Sequence, residues 1–464
     1  MVVSEPNVIV FDGICGSGKT TRAFELINEL TTIPHYGSRM DPKFIFVTPF
    51  TMECHRIAGS IPIEIPREHA NDYDGYDISE LSERDANKEQ RRDSDGNVIY
   101  RERKETDRFF VLPVKLSGGR LAGIKEAIYH NQDIVITHSA FLRFDIELLN
   151  LIKQRDYQLI IDETPNLFGS ITDLADDITS NDIRNLQKIG NITSDENDIV
   201  SWNITESAER WDVYEKLKYY IDQKRVVQYS DDASIFFLRF IPEYFTAFRS
   251  IHLLTYIFEG SICKSYFDLY NISYSVTKII RNHGDPAEYW NLIEIPRNNS
   301  SEIQTLRMNS LSSTWYKGKT ATQVSFIKKA TESFFNNTCR GIDADKKLWT
   351  VYLDQINKVK GKGYTKQFLS LTSRATNIYK DVEAVAYLLN LYPYTPISNY
   401  FAAKRFPVNN DKYALAEMLQ WIFRSRIRKG ESIKLFLPSP RMKKLLVDWM
   451  EELKTENSSS TTTN

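Results

Sequence analysis

Residues 13–20, Gly13-Ile-Cys-Gly-Ser-Gly-Lys-Thr20, constrain this chain more than any other stretch. They follow the β-branched run Val8-Ile-Val-Phe-Asp12 and lead into Thr21-Arg-Ala-Phe-Glu-Leu-Ile-Asn-Glu-Leu30, whose apolar residues recur at helical spacing. A glycine-rich turn between a strand and a helix is the context in which this motif cradles phosphates. Gly13, Gly16 and Gly18 let successive backbone N–H groups converge on phosphate oxygens, and the helix N-terminus adds its partial positive charge. Ser17, Lys19, Thr20 and Thr21 complete the candidate triphosphate site. Lys19 reaches toward the β- and γ-phosphates, and the Thr20 hydroxyl suits Mg²⁺.

The runs at 8–12, 44–48, 134–137, 159–162 and 251–255 alternate with helical patterns, which predicts a parallel α/β sheet. Each run ends in a polar residue, at the edge where open α/β sheets bind ligands. The fourth, Leu159-Ile-Ile-Asp-Glu163, ends in two carboxylates. A nucleotide hydrolase needs one acid for the Mg²⁺ shell and one to orient the attacking water. Asp162 suits the first role and Glu163 the second.

The stretch 67–108 mixes both charge signs and reads as an exposed insertion; 187–232 reads as helical elaboration. A second α/β pattern follows, with runs at 348–353, 368–371 and 433–437 and helices expected near 381–389 and 414–428. The domains expected are 1–297, 298–456 and a Ser/Thr-rich disordered tail, 457–464. Within the last helix Gln420, Arg424 and Arg428 fall at i, i+4, i+8 and line one side, where an arginine could serve a γ-phosphate. Arg426 points elsewhere.

With 42% hydrophobic and 26% charged residues in 464, the composition is that of a soluble globular protein of two or three domains. No apolar run approaches the ~20 residues of a membrane span. Ser4-Glu-Pro-Asn7 leads straight into the first strand, so no signal peptide is expected. Four scattered cysteines suit a reducing compartment, and the expected location is cytoplasmic, the host cytoplasm if the chain is viral. A formal charge of −2 makes the chain no polycation.

Together these motifs resemble the superfamily 2 DEAD/DEAH-box-type helicases, most closely the compact bacteriophage-encoded ones. The 13–20 segment is similar to motif I and Ile160-Ile-Asp-Glu-Thr-Pro165 to motif II. Phe46-Val-Thr-Pro-Phe-Thr51 is similar to motif Ia, Leu371-Thr-Ser-Arg-Ala-Thr-Asn377 to motif V, and 420–428 to motif VI. At the motif III position Thr255-Tyr256 departs from Ser-Ala-Thr, and Ile427 stands where motif VI has its second arginine. The resemblance implies two tandem RecA-like P-loop NTPase domains, with ATP and Mg²⁺ as cofactors. Glu163, Gln420, Arg424 and Arg428 would be catalytic. Thr48, Pro49, Thr137, His138, Arg374 and Asn377 would touch nucleic acid, single-stranded or forked DNA ahead of RNA. The implied function is an ATP-dependent helicase or translocase working with replication or recombination proteins. The alternatives are a terminase-like DNA-packaging ATPase and a nucleotide-switched regulatory protein. A packaging enzyme's nuclease would need late metal-binding carboxylates, where this chain is instead rich in arginine and lysine.

Overall fold

The apolar runs of the first half become adjacent strands of one parallel sheet. The computed structural model describes residues 7–14, 17–32, 42–58, 110–171, 180–203, 214–229, 235–279, 291–298, 300–371 and 379–460. Its first strands are β1 (Val8–Asp12), β2 (Lys43–Thr48), β3 (Ile134–Thr137) and β4 (Tyr157–Asp162). Then come β5 (Phe168–Ser170), β6 (Ile192–Ser194), β7 (Val200–Trp202), β8 (Val226–Tyr229) and β9 (Ile235–Arg239). Strands β10 (Ile251–Thr255) and β11 (Tyr274–Lys278) close the sequence half. Six of these form the sheet β11-β1-β10-β4-β2-β3, parallel throughout. Its inner strands are buried on both faces, and so they read as continuous apolar runs.

Helix α1 (Lys19–Thr32) follows β1, and α2 (Thr51–Ala58) follows β2. Helix α3 (Gly119–Tyr129) precedes β3, while α4 (His138–Phe141) and α5 (Ile146–Lys153) link β3 to β4. The region expected to be helical elaboration, 187–232, is mixed among its described residues, where the helix Glu215–Asp222 and the end of the helix Ser180–Lys188 stand beside strands. It holds the hairpin β6–β7 and strand β8, which joins the antiparallel sheet β5-β9-β8. Ile192, Val200, Val226, Phe236 and Leu238 from the strands pack there with Leu186, Leu217 and Ile221 from the helices into one core.

In the second half a four-stranded parallel sheet runs β12-β15-β14-β13. Its strands are β12 (Ile293–Glu294), β13 (Lys347–Thr350), β14 (Ala384–Tyr387) and β15 (Ile433–Phe436). Strand β14 occupies the segment where a helix was expected. All four of its side chains are buried, so no alternation distinguishes it from a buried helix turn. The expected strand at 368–371 reduces to a bridge between Phe368 and Trp349.

The chain divides into two units. One comprises Met1–Asp12, Lys19–Lys278 and Thr395–Val408, the other Gly13–Gly18, Ile279–Tyr394 and Asn409–Asn464. The helix Thr395–Ala403 thus belongs to the first unit, where Tyr400 and Phe401 pack on Phe168 with ring centroids 4.9 and 5.0 Å apart. In the second unit Trp349, Tyr364, Phe334 and Phe335 centre the core. The last helix runs Pro440–Ser460, past the point where a disordered tail was expected to begin; 461–464 lie outside the described residues. A helix once nucleated gains a bond per added residue, so a polar Ser/Thr tract can extend it. The charged stretch 67–108 also lies outside the described residues. Among the described residues no helix is long and apolar enough to cross a membrane.

Candidate nucleotide site

The motif at 13–20 leaves the carboxyl end of β1. Gly18 has φ +84°, a left-handed conformation that a side chain would strain, and Lys19 and Thr20 open α1. Ser17 donates its N–H to the Ile14 carbonyl at 3.0 Å, closing a tight turn. Among the described residues the Ser17 hydroxyl is buried without a hydrogen-bond partner. A buried hydroxyl in that state is costly, and a phosphate oxygen would satisfy it. Space here is tight as well: a Cβ on Gly13 would sit 2.7 Å from that hydroxyl. Thr20 is half-buried and Thr21 exposed on α1; Gly16 lies outside the described residues.

Strand β10 lies between β1 and β4, pairing Asp12 with Thr255 and Leu254 with Asp162. The tips of β1 and β4 are therefore two strand spacings apart, about 9–10 Å. Burial, and then the neighbouring Glu163, push the Asp162 carboxyl up to about 7, while the charge of Lys19 acts in the opposite direction. Glu163 has φ +63° and donates its N–H to the Leu254 carbonyl at 2.8 Å. A non-glycine residue held left-handed marks stored strain, which concentrates at functional positions. The tip therefore presents two adjacent carboxylates of unlike environment within the field of the Lys19 ammonium. Asp162 and Thr20 offer hard oxygen ligands of the kind Mg²⁺ takes.

Two features were not legible as functional in the sequence. Asp12, at the tip of β1, accepts hydrogen bonds from the N–H groups of Ile257 at 2.8 Å and Phe258 at 3.0 Å. It pins the turn after β10, where Ile257 is left-handed at φ +52°. Burial raises the Asp12 carboxyl, against the pull of those two donors and Lys19. On α2, Glu53 and Arg56 form an ion pair at 2.6 Å, and both charges bear on Asp162. The sequence signal for this pair is only its i, i+3 spacing just after a strand tip.

The residues expected to touch nucleic acid fall at several places in the first unit and outside the described residues. Thr48 is fully buried, and its Oγ1 accepts from the Phe50 N–H at 3.3 Å. Pro49 follows it, half-buried, ahead of α2. Thr137 caps α4, accepting from the Ala140 N–H at 3.3 Å. His138 is 7% exposed, and its Nε2 donates to the Asp162 carbonyl at 2.8 Å, tying β3 to the acidic tip. Arg374 and Asn377 lie outside the described residues.

The arginine helix is shorter than its periodicity suggests. It spans Asn410–Ile422 with Phe423 as C-cap, and a 3₁₀ turn, Arg426–Lys429, follows. Ser425 is extended between them and its hydroxyl donates to the Ile422 carbonyl, ending the ladder. Gln420, Arg424 and Arg428 therefore do not share one helix face. Gln420 is half-buried, Arg424 is 7% exposed, and Arg428 is exposed on the 3₁₀ turn. Arg426 is ion-paired with Glu383 at 2.9 Å.

A family model described as the YonV C-terminal Rossmann-like domain matches residues 287–450. The whole chain is similar to the SPbeta prophage-derived uncharacterized protein YonV of Bacillus subtilis (strain 168). The two are 27% identical over an alignment covering 96% of this chain and 98% of that protein. The fold is thus α/β with parallel sheets and a Rossmann-like C-terminal domain, and the chain is similar to a prophage-derived protein. These matches overturn the resemblance to superfamily 2 helicases, because the segment that would carry motifs V and VI matches a Rossmann-like family instead. The motifs that suggested helicases most strongly, at 13–20 and 160–165, are shared by nucleotide hydrolases at large. The motifs peculiar to helicases are where this sequence departs, at Thr255-Tyr256 and Ile427.

Proposed function

We propose that the chain binds a Mg²⁺-complexed nucleoside triphosphate at the 13–20 loop and hydrolyses it. One observation carries the reading: the Asp162-Glu163 tip stands two strands from the loop strand, with the Lys19 charge acting on Asp162. Lys19 stabilises charge on the transferring phosphoryl group, Thr20 and Asp162 hold the metal, and Glu163 orients water. Asp12 and His138 are positioning residues: the first fixes the turn beyond β10, the second the backbone of the acidic tip. In this reading the first unit is a RecA-like hydrolase core, with β10 as the strand inserted between loop and acid.

ATP turnover in Lys19→Ala should fall by a factor on the order of 10² or more, the scale of losing one electrostatic stabiliser. Glu163→Gln should keep nucleotide binding and lose roughly 10²–10⁴-fold in turnover, the range of a general base. Wild-type turnover in Glu163→Gln would refute the assignment. A motor on nucleic acid would need this same hydrolysis. Turnover measured with and without single-stranded DNA and RNA decides whether strand binding is coupled to it.

A further inference from the structure

The first unit carries a second concavity at the opposite edge of its sheet. Asn7 and Ser273, which line it, immediately precede β1 and β11, whereas the phosphate loop leaves the carboxyl end of β1. A five-residue strand separates the two edges by about 17 Å. The groove has a volume of about 640 Å³, within the range of small-molecule sites. Its floor is Arg239, the last residue of β9, which is 6% exposed.

Arg239 is held in a fixed pose. Its Nε donates to the Lys224 carbonyl at 2.9 Å, and its guanidinium lies over the Tyr270 ring, 5.0 Å from the centroid. Tyr270 lines the groove together with Tyr400. Among the described residues Arg239 forms no ion pair, and the exposed Glu243 acts on it only at longer range, so a buried guanidinium lines the groove without a direct counter-ion. Lys404 stands on the same groove, with its Nζ 2.6 Å from Asp198. Both partners are about 30% exposed, 31% and 29%, so that bridge is worth little and yields readily to a ligand. Asn197, Thr246 and Ser273 add neutral polar groups. Glu243, exposed at the rim, repels a second anionic group there and accepts from hydroxyls.

We propose that this groove binds a small phosphomonoester bearing hydroxyl groups, of the mononucleotide or sugar phosphate class. Arg239 forks onto the phosphate, Lys404 supplies the second cation, and Glu243 takes the hydroxyls. A rigid guanidinium is suited to bidentate phosphate binding, and the one rim carboxylate selects against a triphosphate.

The test titrates AMP, glucose 6-phosphate and adenosine into the full chain carrying Lys19→Ala, which disables the phosphate loop, with heat as the readout. At least one phosphorylated probe should bind and adenosine should bind roughly tenfold or more weakly, as loss of a charge-assisted contact implies. Adding Arg239→Gln, and separately Lys404→Ala, should each weaken the phosphorylated probe by about tenfold. Lys404 is partly exposed, so its variant decides the matter even if Arg239→Gln unfolds. Flat titrations with both phosphorylated probes, adenosine binding as tightly as AMP, or affinity unchanged in Lys404→Ala would each overturn the proposal.

Discussion

Asp12 meets its partners across 245 residues of sequence, and so its role is invisible in the local pattern that reveals the neighbouring loop. Removing it as Asp12→Ala would leave two N–H groups at Ile257 and Phe258 without their acceptor. The cost should be about 1–3 kcal/mol in denaturant unfolding, the penalty for an unsatisfied buried donor. Asp12→Asn, which keeps one acceptor oxygen, should cost less; equal losses would argue that charge alone matters. His252 gives a residue-scale test by pH. Buried in β10 and 2.9 Å from the Ser250 hydroxyl, it is pushed down to about 4, by burial first and the Arg22 charge second. Its stabilising contribution is complete above about pH 6.5 and is lost as pH falls toward 4, because the unfolded chain takes up the proton first. Wild-type stability should therefore fall by on the order of 2–3 kcal/mol across that window. His252→Asn should flatten this part of the pH profile, and an unchanged slope would sink the assignment.

Among the elements, five strands of the first sheet were legible because apolar runs end in polar tips and turns bound them, whereas the edge strand β11, with Val276 as its one aliphatic residue, was not. β14 was not, since Ala384-Val-Ala-Tyr387 is apolar throughout and periodicity carries no signal when both faces are buried. The C-terminal arginines misled for a related reason. Helical spacing continues through 420–428, whereas the ladder stops at Ile422 under a local serine bond and the 3₁₀ turn closes on Gly430 at φ +77°. Spacing alone does not register such a stop. Arg424, being buried, should therefore matter for stability: Arg424→Ala is expected to lower it by about 1–3 kcal/mol. The exposed Arg428→Ala should change it by less than about 0.5 kcal/mol. Melting curves of the two variants compare them directly, and equal shifts would show that the helix end has been misjudged.

At the scale of the whole molecule, the expected single boundary at 297/298 differs from the way the chain is distributed. Residues 395–408 return to the first unit, where Tyr400 packs against Phe168, Tyr229 and Phe237. No local composition announces such a return, because it depends on the face offered by β5-β9-β8. Tyr400→Ala should accordingly destabilise the chain by about 3–5 kcal/mol, the cost of deleting a large buried ring. In Tyr400→Ala the first unit, which holds Lys19 and Asp162, should be the one that unfolds earlier, read by loss of nucleotide binding on heating. Retention of binding through the first transition would refute this.

The returning helix also bears on inheritance. The stretch that matches the Rossmann-like family, 287–450, contains 395–408, so that stretch is not a self-contained cassette. A cross between two relatives that exchanged it as a block would bring a foreign Tyr400 and Phe401 onto the resident Phe168. The stability of such a chimera would then rest on how well the incoming side chains at 400 and 401 fill the space against Phe168.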